Sequence, residues 1–235
     1  MDGSSGVKSF FGHLEELRGR LLFSACFFLL LSVFSYPLSG ILLEKVKTSL
    51  LPGMQLVVLS PLEAVSVKLK VSFIIGFVVS LPIWLIQLWR FLGPGLSAGE
   101  KKVLVHSLFP SAALFLAGVS FSYLVLLPLT LGFMVREAYP MAVPFFSLDE
   151  TMSFVLFMLL ATGLSFQLPV VVYALSKAGL VDYRMMSSMR RHVVVGIFIA
   201  AAVVTPDPTF VSQLLIAVPM VLLYEVGVQI SRFTR

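Results

Sequence analysis

The chain has 235 residues, of which 58% are hydrophobic and only 12% charged, with a mean hydropathy of +1.00. A soluble domain carries about 25% charge, so this composition excludes a water-solvated globule and indicates a chain solvated mainly by lipid. The net charge of +5 is spread over several connecting segments and forms no patch for nucleic acid, and the single cysteine, Cys26, excludes an internal disulfide and a Cys-based metal site.

The first nine residues are polar, Gly/Ser-rich and followed by charge, so they read as a disordered tail rather than a cleavable signal peptide. Next comes His13-Leu14-Glu15-Glu16-Leu17-Arg18-Gly19-Arg20-Leu21. Its leucines have helical spacing, which predicts an amphipathic segment running into the first apolar window. Windows 21–43, 71–89, 103–135, 151–176 and 193–231 carry almost no charge, and a helix crosses the hydrocarbon core with roughly 20 apolar residues. Thr205-Pro206-Asp207-Pro208 breaks the last window. The expectation is therefore an all-α polytopic membrane protein, one six-helix domain over 1–235, with crossings near 20–42, 67–90, 103–130, 152–177, 192–205 and 209–230. The third is longer than a bilayer needs and should tilt or project outward. The apolar parts of the fifth and sixth are shorter than a full crossing, which suggests either a packed hairpin or local thinning of the bilayer.

Charge orients the bundle. With the N-terminus inside, Lys8, Arg18, Arg20, Arg90, Lys101, Lys102, Lys177, Arg184, Arg190, Arg191, Arg232 and Arg235 face the cytoplasm. Lys45, Lys47, Lys68, Lys70 and Arg136 face out. Twelve against five follows the positive-inside rule and puts both termini in the cytoplasm.

Two stretches match at a constant offset of 87 (169 − 82). Ser60, Glu63, Ser66, Leu69, Gly76, Leu81, Pro82 and Leu88 align with Ser147, Glu150, Ser153, Leu156, Gly163, Leu168, Pro169 and Leu175. Each reads as an acidic threshold followed by a helix with a Gly-x5-Pro kink, because an interior proline removes a backbone hydrogen bond and clashes with the preceding turn. They form the second and fourth crossings, so both run from outside to inside and the repeat is parallel, unlike the inverted repeats of many transporters.

Polar groups in the apolar windows need a reason, since Asp at mid-helix costs about 2.5–3.5 kcal/mol on insertion scales. Gln167, Asp207 and Gln213 read together as lining a water-filled concavity open to the outside. Alternatively, Gln167 bonds a carbonyl freed by Pro169, and Asp207 caps the last helix, the better reading for Asp207. At the inner surface, Glu16 lies in the leucine-spaced segment and Glu100 in the loop 91–102. Such carboxylates either accept guanidinium groups in bidentate pairs or are solvated helix-end charge. Enzyme chemistry is not indicated: His13 and Glu15 lack the HExxH spacing, and there is no glycine-rich phosphate loop. Nothing in the sequence calls for a cofactor.

The segment His13–Leu21 resembles the N-terminal signature of the TatC family, the core subunit of the twin-arginine protein translocase. Ser60-Pro-Leu-Glu63, Leu81-Pro-Ile-Trp-Leu-Ile-Gln-Leu-Trp-Arg-Phe91 and Pro94-Gly-Leu-Ser-Ala-Gly-Glu100-Lys-Lys102 continue the resemblance. So do Leu164-Ser-Phe-Gln-Leu-Pro169, Thr205-Pro-Asp207 with Ser212-Gln213, and Pro219-Met-Val-Leu-Leu-Tyr-Glu225. The resemblance implies a six-helix, glove-shaped bundle that binds twin-arginine signal peptides. With TatA- and TatB-type single-span partners, and as a homo-oligomer in the full complex, it would move folded proteins across the cytoplasmic membrane on the proton-motive force. It implies that Glu16 and Glu100 engage the arginine pair, with Arg18 and Phe91 linked to that site and Gln167 facing the concavity. The chain departs from the family twice: many members carry Glu at the Gln167 position, and members often have a proline near Lys45–Lys47. The rival expectation is a secondary transporter for a small cationic solute, using Gln167, Asp207 and Gln213.

Overall fold

A computed structural model describes residues 3–52, 56–92, 98–138, 140, 145–177, 179, 181–204 and 210–233. Side chains of 3–14, 88–89, 92, 98–108, 203–204 and 211–212 lie outside the description. Helix α1 spans Gly3–Leu50, α2 Glu63–Leu92 and α3 Ala98–Phe121. A π-helical turn, Ser122–Leu126, leads into α4, Leu127–Ala138. Then follow α5, Leu148–Ser165; α6, Leu168–Lys177; α7, Tyr183–Val204; and α8, Phe210–Phe233. Among the described residues, five segments are long and apolar enough to cross a membrane: Glu15–Leu50, Glu63–Gln87, Phe109–Ala138, Leu148–Lys177 and Gln213–Phe233. Helix α7 is the sixth rod. Its first half carries Arg184, Arg190 and Arg191, so its apolar part is short although the helix itself is not.

Several predicted boundaries move. The first helix extends well past 20–42 in both directions. It includes Gly3–Ser9, expected as a disordered tail, and Lys45 and Lys47, expected in a loop. At 1.5 Å per residue its 48 residues make a rod of about 72 Å, over twice a hydrocarbon core of about 30 Å. Isolated lysines near a helix end do not stop a helix, because their long stems reach water while the backbone stays bonded.

Small residues set the closest helix contact. Ser24, Ser32, Ser35 and Ser39 of α1 are buried, as are Ser72 and Ser80 of α2. Between the latter two, a Cβ on Gly76 would lie 2.7 Å from the Ser32 backbone nitrogen. Inside lipid no hydrophobic drive separates helix from solvent, so close packing of such residues carries the association. The hydroxyls stay satisfied by bonding carbonyls one turn back, as Ser32 does to Phe28 at 2.8 Å. Gly163 has the matching role in the second stretch, where a Cβ would lie 2.7 Å from the Phe115 ring of α3. Each Gly of the repeat thus seats its helix against a helix that precedes it. The outer surface is apolar, with Val33 and Phe34 of α1 more than 70% exposed, as lipid contact requires.

The two prolines of the repeat behave differently. Pro82 lies inside the unbroken α2. Pro169 is not an interior kink: α5 ends at Ser165, Phe166 and Gln167 form a turn, and Pro169 is the second residue of α6. There its missing N–H falls in a first turn, where no partner is needed.

The loops before α2 and α5 are joined by two-residue strands, β1 (Leu56–Val57) and β2 (Phe146–Ser147), paired in parallel. Glu63 locks them. Its Oε2 accepts from the amides of Leu59 (2.6 Å) and Ser60 (3.2 Å). Its Oε1 accepts from the Ser147 hydroxyl (2.8 Å) and the Asp149 amide (2.7 Å). Two turns further along α2, Lys70 Nζ donates to both Asp149 oxygens at 2.6 and 2.7 Å and to Ser153 at 2.9 Å. Helices α2 and α5 therefore start side by side and run in the same direction. Glu150, the repeat counterpart of Glu63, is exposed, so the equivalence ends at these thresholds.

Candidate functional site

At the end of the bundle opposite Glu63, α1 and α2 pass antiparallel, with Arg20 Nη1 donating to the Gln87 carbonyl at 3.5 Å. Arg20 also forms an ion pair with Glu16, one turn earlier on α1. That spacing is what brings the two side chains together on a helix surface. The carboxylate is 37% exposed and the guanidinium 22%, so the pair sits at the bundle surface, where such pairs contribute about 0.3–0.5 kcal/mol. Arg18 is exposed and Phe91 half-buried.

Behind this pair lies a cavity of about 280 Å³ between α1, α2, α3 and α6. Leu17, Arg20, Phe77, Trp84, Phe91 and Gln167 are among its lining residues. Phe77 stacks at 6.4 Å from both Trp84 and Phe115, and at 6.3 Å from Phe28, so an aromatic column stiffens one wall. Gln167 closes another. Its Nε2 donates to the Ser111 carbonyl at 2.9 Å, and the Ser111 hydroxyl donates to its Oε1. Gln167 is buried at 8% exposure with both ends of its amide engaged, which is how a buried amide avoids its desolvation cost. Its partner is thus a carbonyl of α3, not one freed by Pro169.

The predicted grouping of Gln167, Asp207 and Gln213 is not what the described residues form. Gln167 lines the same cavity as Arg20 and Phe91, toward the Glu16 end of the bundle. Gln213 Nε2 instead donates to the Phe198 carbonyl at 2.8 Å, fastening α8 to α7. The same hairpin is held by Tyr224 Oη to the Met186 carbonyl (2.8 Å), by Arg190 to Glu225 (2.6 Å) and by Arg232 over the Tyr183 ring. Asp207 lies outside the described residues. Glu100 is the third residue of α3, and its side chain too lies outside the description. Since α1 and α2 are antiparallel, the first turns of α3 follow α2 to the Glu16 end.

The sequence reading missed Arg20, Ser111 and Trp84 as parts of this site. Arg20 carried a signal, standing four residues after Glu16. Ser111 carried none, because a serine after an apolar run has no pattern that names its partner.

A helical bundle with several long apolar helices and an apolar outer surface defines a multi-pass membrane protein. The chain matches the family described as Sec-independent protein translocase protein (TatC) over residues 12–219. It is 35% identical to the Sec-independent protein translocase protein TatC of Aquifex aeolicus, covering 94% of this chain and 93% of that one. It is 34% identical to the protein of the same name from Carboxydothermus hydrogenoformans, covering 96% and 93%. A crystal structure of the twin arginine translocase receptor TatC superposes with a TM-score of 0.85 at 34% identity, covering 94% of this chain and 99% of that one. The chain belongs to the TatC family, a family of translocase components rather than enzymes.

Proposed function

We propose that the chain is the receptor for twin-arginine signal peptides and the core of a translocase that moves folded proteins, driven by the proton-motive force. Glu16 and Glu100 accept the two guanidinium groups in charge-assisted bonds, whose bidentate geometry favours arginine over lysine. Arg18 and Phe91 border that site. Both termini face the cytoplasm, in keeping with the split of basic residues, and the chain resides in the cytoplasmic membrane. TatA- and TatB-type single-span proteins and further copies of this chain complete the machine. Local thinning at the short apolar parts of α7 and α8 assists transport.

The observation that carries this reading is the Glu16–Arg20 ion pair in a chain of the TatC family. The carboxylate accepts a guanidinium at the bundle surface, in a weak pair that an incoming arginine can replace. The test is charge reversal, Glu16→Lys and Glu100→Lys, with export of a twin-arginine reporter as the readout. Each variant inserts normally and loses export; normal export in either one removes that residue from the site.

A further inference from the structure

A groove of about 620 Å³ runs between α1, α2, α3 and α5, and its lining residues are distinct from those of the cavity behind Arg20. Val71, Ile75, Phe115, Met152 and Leu159 are among its walls. Val79 and Leu124 also line it and are 54% and 70% exposed, so the groove opens sideways to lipid. Among the described residues of the lining, Lys45 is the one that carries charge. Its ammonium has no ion-pair or hydrogen-bond partner among the described residues, whereas Lys70 of α2 is held by Asp149. Glu44, beside Lys45 in the chain, is not among the lining residues.

The helix contacts fix its depth. Gly76, which meets Ser32 of α1, stands at the middle of the membrane-spanning segment Glu63–Gln87. Lys45 comes 13 residues after Ser32 (45 − 32), which is about 20 Å toward the Glu63 end. One leaflet of hydrocarbon is about 15 Å deep, half of a core of about 30 Å, so Lys45 stands at headgroup depth. On α3, Phe115 meets Gly163, and the lining hydroxyls of Ser120 and Tyr123 follow about 7 and 12 Å further toward the same end. The groove is thus apolar near mid-bilayer, hydroxylated part-way out and cationic at its mouth.

We propose that this groove is a binding site for one anionic phospholipid of the leaflet on the Glu63 side, with an acyl chain between α2 and α5 and the phosphate on Lys45. The polarity runs in the order a phospholipid presents: hydrocarbon tail, ester oxygens, phosphate. An ammonium at the edge of the hydrocarbon is costly unless it is paired or reaches water, and a headgroup phosphate supplies the anion that the described side chains do not. The bound lipid fills the wedge between the α1–α2 pair and α3 with α5. The site is independent of the arginine pair at the opposite end of the bundle. An apolar peptide segment is the competing occupant.

The experiment uses the full chain in nanodiscs of phosphatidylcholine with a minor share of phosphatidylglycerol. Lipid that stays on the protein after transfer to detergent is counted by native mass spectrometry. The unaltered chain retains phosphatidylglycerol above its share of the bilayer. Lys45→Gln lowers that preference about fivefold, the scale of one lysine facing an anionic headgroup, while Lys45→Arg keeps it. Lys47→Gln, at an exposed position that does not line the groove, also keeps it. Val79→Trp, which narrows the groove from its lipid-exposed rim, removes retained lipid of either headgroup. Phosphatidylglycerol with a diazirine in its acyl chain labels residues 71–79 and 152–160. Equal loss from Lys45→Gln and Lys47→Gln assigns the effect to general surface charge and overturns the site. So does equal retention of phosphatidylcholine, or no retained lipid at all. Displacement of the label by a synthetic twin-arginine peptide assigns the groove to peptide, which overturns the proposal and leaves the receptor reading standing.

Discussion

Glu16 and Arg20 pair across a single turn of α1, at the point where that helix borders the cavity shared with α2, α3 and α6. The pair is partly exposed and therefore adds little to stability. Arg20→Gln is expected to shift unfolding of the purified protein by no more than about 0.5 kcal/mol. Glu16→Gln, equally mild for the fold, removes arginine-dependent peptide binding. Thermal unfolding and peptide titration on the same samples separate the two effects.

Gly76 is expected to be intolerant of any side chain. A Cβ there would meet Ser32 Oγ, the Ser32 nitrogen and its Cα, so α1 and α2 must move apart. Gly76→Ala costs about 1–3 kcal/mol, the range for overpacking a tight contact. Gly196→Ala in α7 is the control, because nothing lies within 4 Å of its Cβ position. There the better helix propensity of alanine gives a change near zero or a gain of up to about 1 kcal/mol. Thermal melts of both variants check the contrast.

Gln167→Leu breaks both hydrogen bonds to Ser111 and leaves the Ser111 hydroxyl to find another acceptor. Interhelical hydrogen bonds in membranes average about 0.6 kcal/mol and reach about 1.7, so the loss falls in that range. Export survives this change if the amide only fastens α6 to α3. Paired melts and export assays make the comparison.

Most of the six rods were legible in the sequence, because lipid solvation demands long uncharged windows and charges mark their ends. What charge could not mark was where a helix continues beyond the membrane. Lys45 and Lys47 suggested a loop although α1 runs through them to Leu50, and Arg184 to Arg191 hid the first half of α7. The break before Pro169 was hidden for a related reason: the apolar window reads as one kinked helix, whereas α5 ends at Ser165 and α6 begins at Leu168. Carboxylates at the surface were visible as residue types. Their partners were not, since Lys70 meets Asp149 across 79 positions and Ser111 meets Gln167 across 56. Ser153 was in view on the repeat, but nothing in spacing alone assigns it to a lysine on another helix.

Glu63 accepts from four donors with two oxygens, and glutamine offers only one acceptor oxygen. Glu63→Gln therefore leaves backbone amides near an NH₂ group and loosens the link between the loops before α2 and α5. Hydrogen exchange at the amides of Leu59, Ser60 and Asp149 accelerates in this variant, while amides in the middle of α8 keep their wild-type rate. A uniform change across the protein would instead mean a global loss of stability.

The central claim is that the end of the bundle carrying Glu16 and the start of α3 binds an arginine pair. A photo-crosslinker at position 100, in membranes containing the full chain, measures this most directly. A twin-arginine peptide is expected to crosslink there, and replacing both arginines by alanine is expected to abolish the adduct. An adduct of equal yield from the alanine peptide, or none from the arginine peptide, contradicts the account.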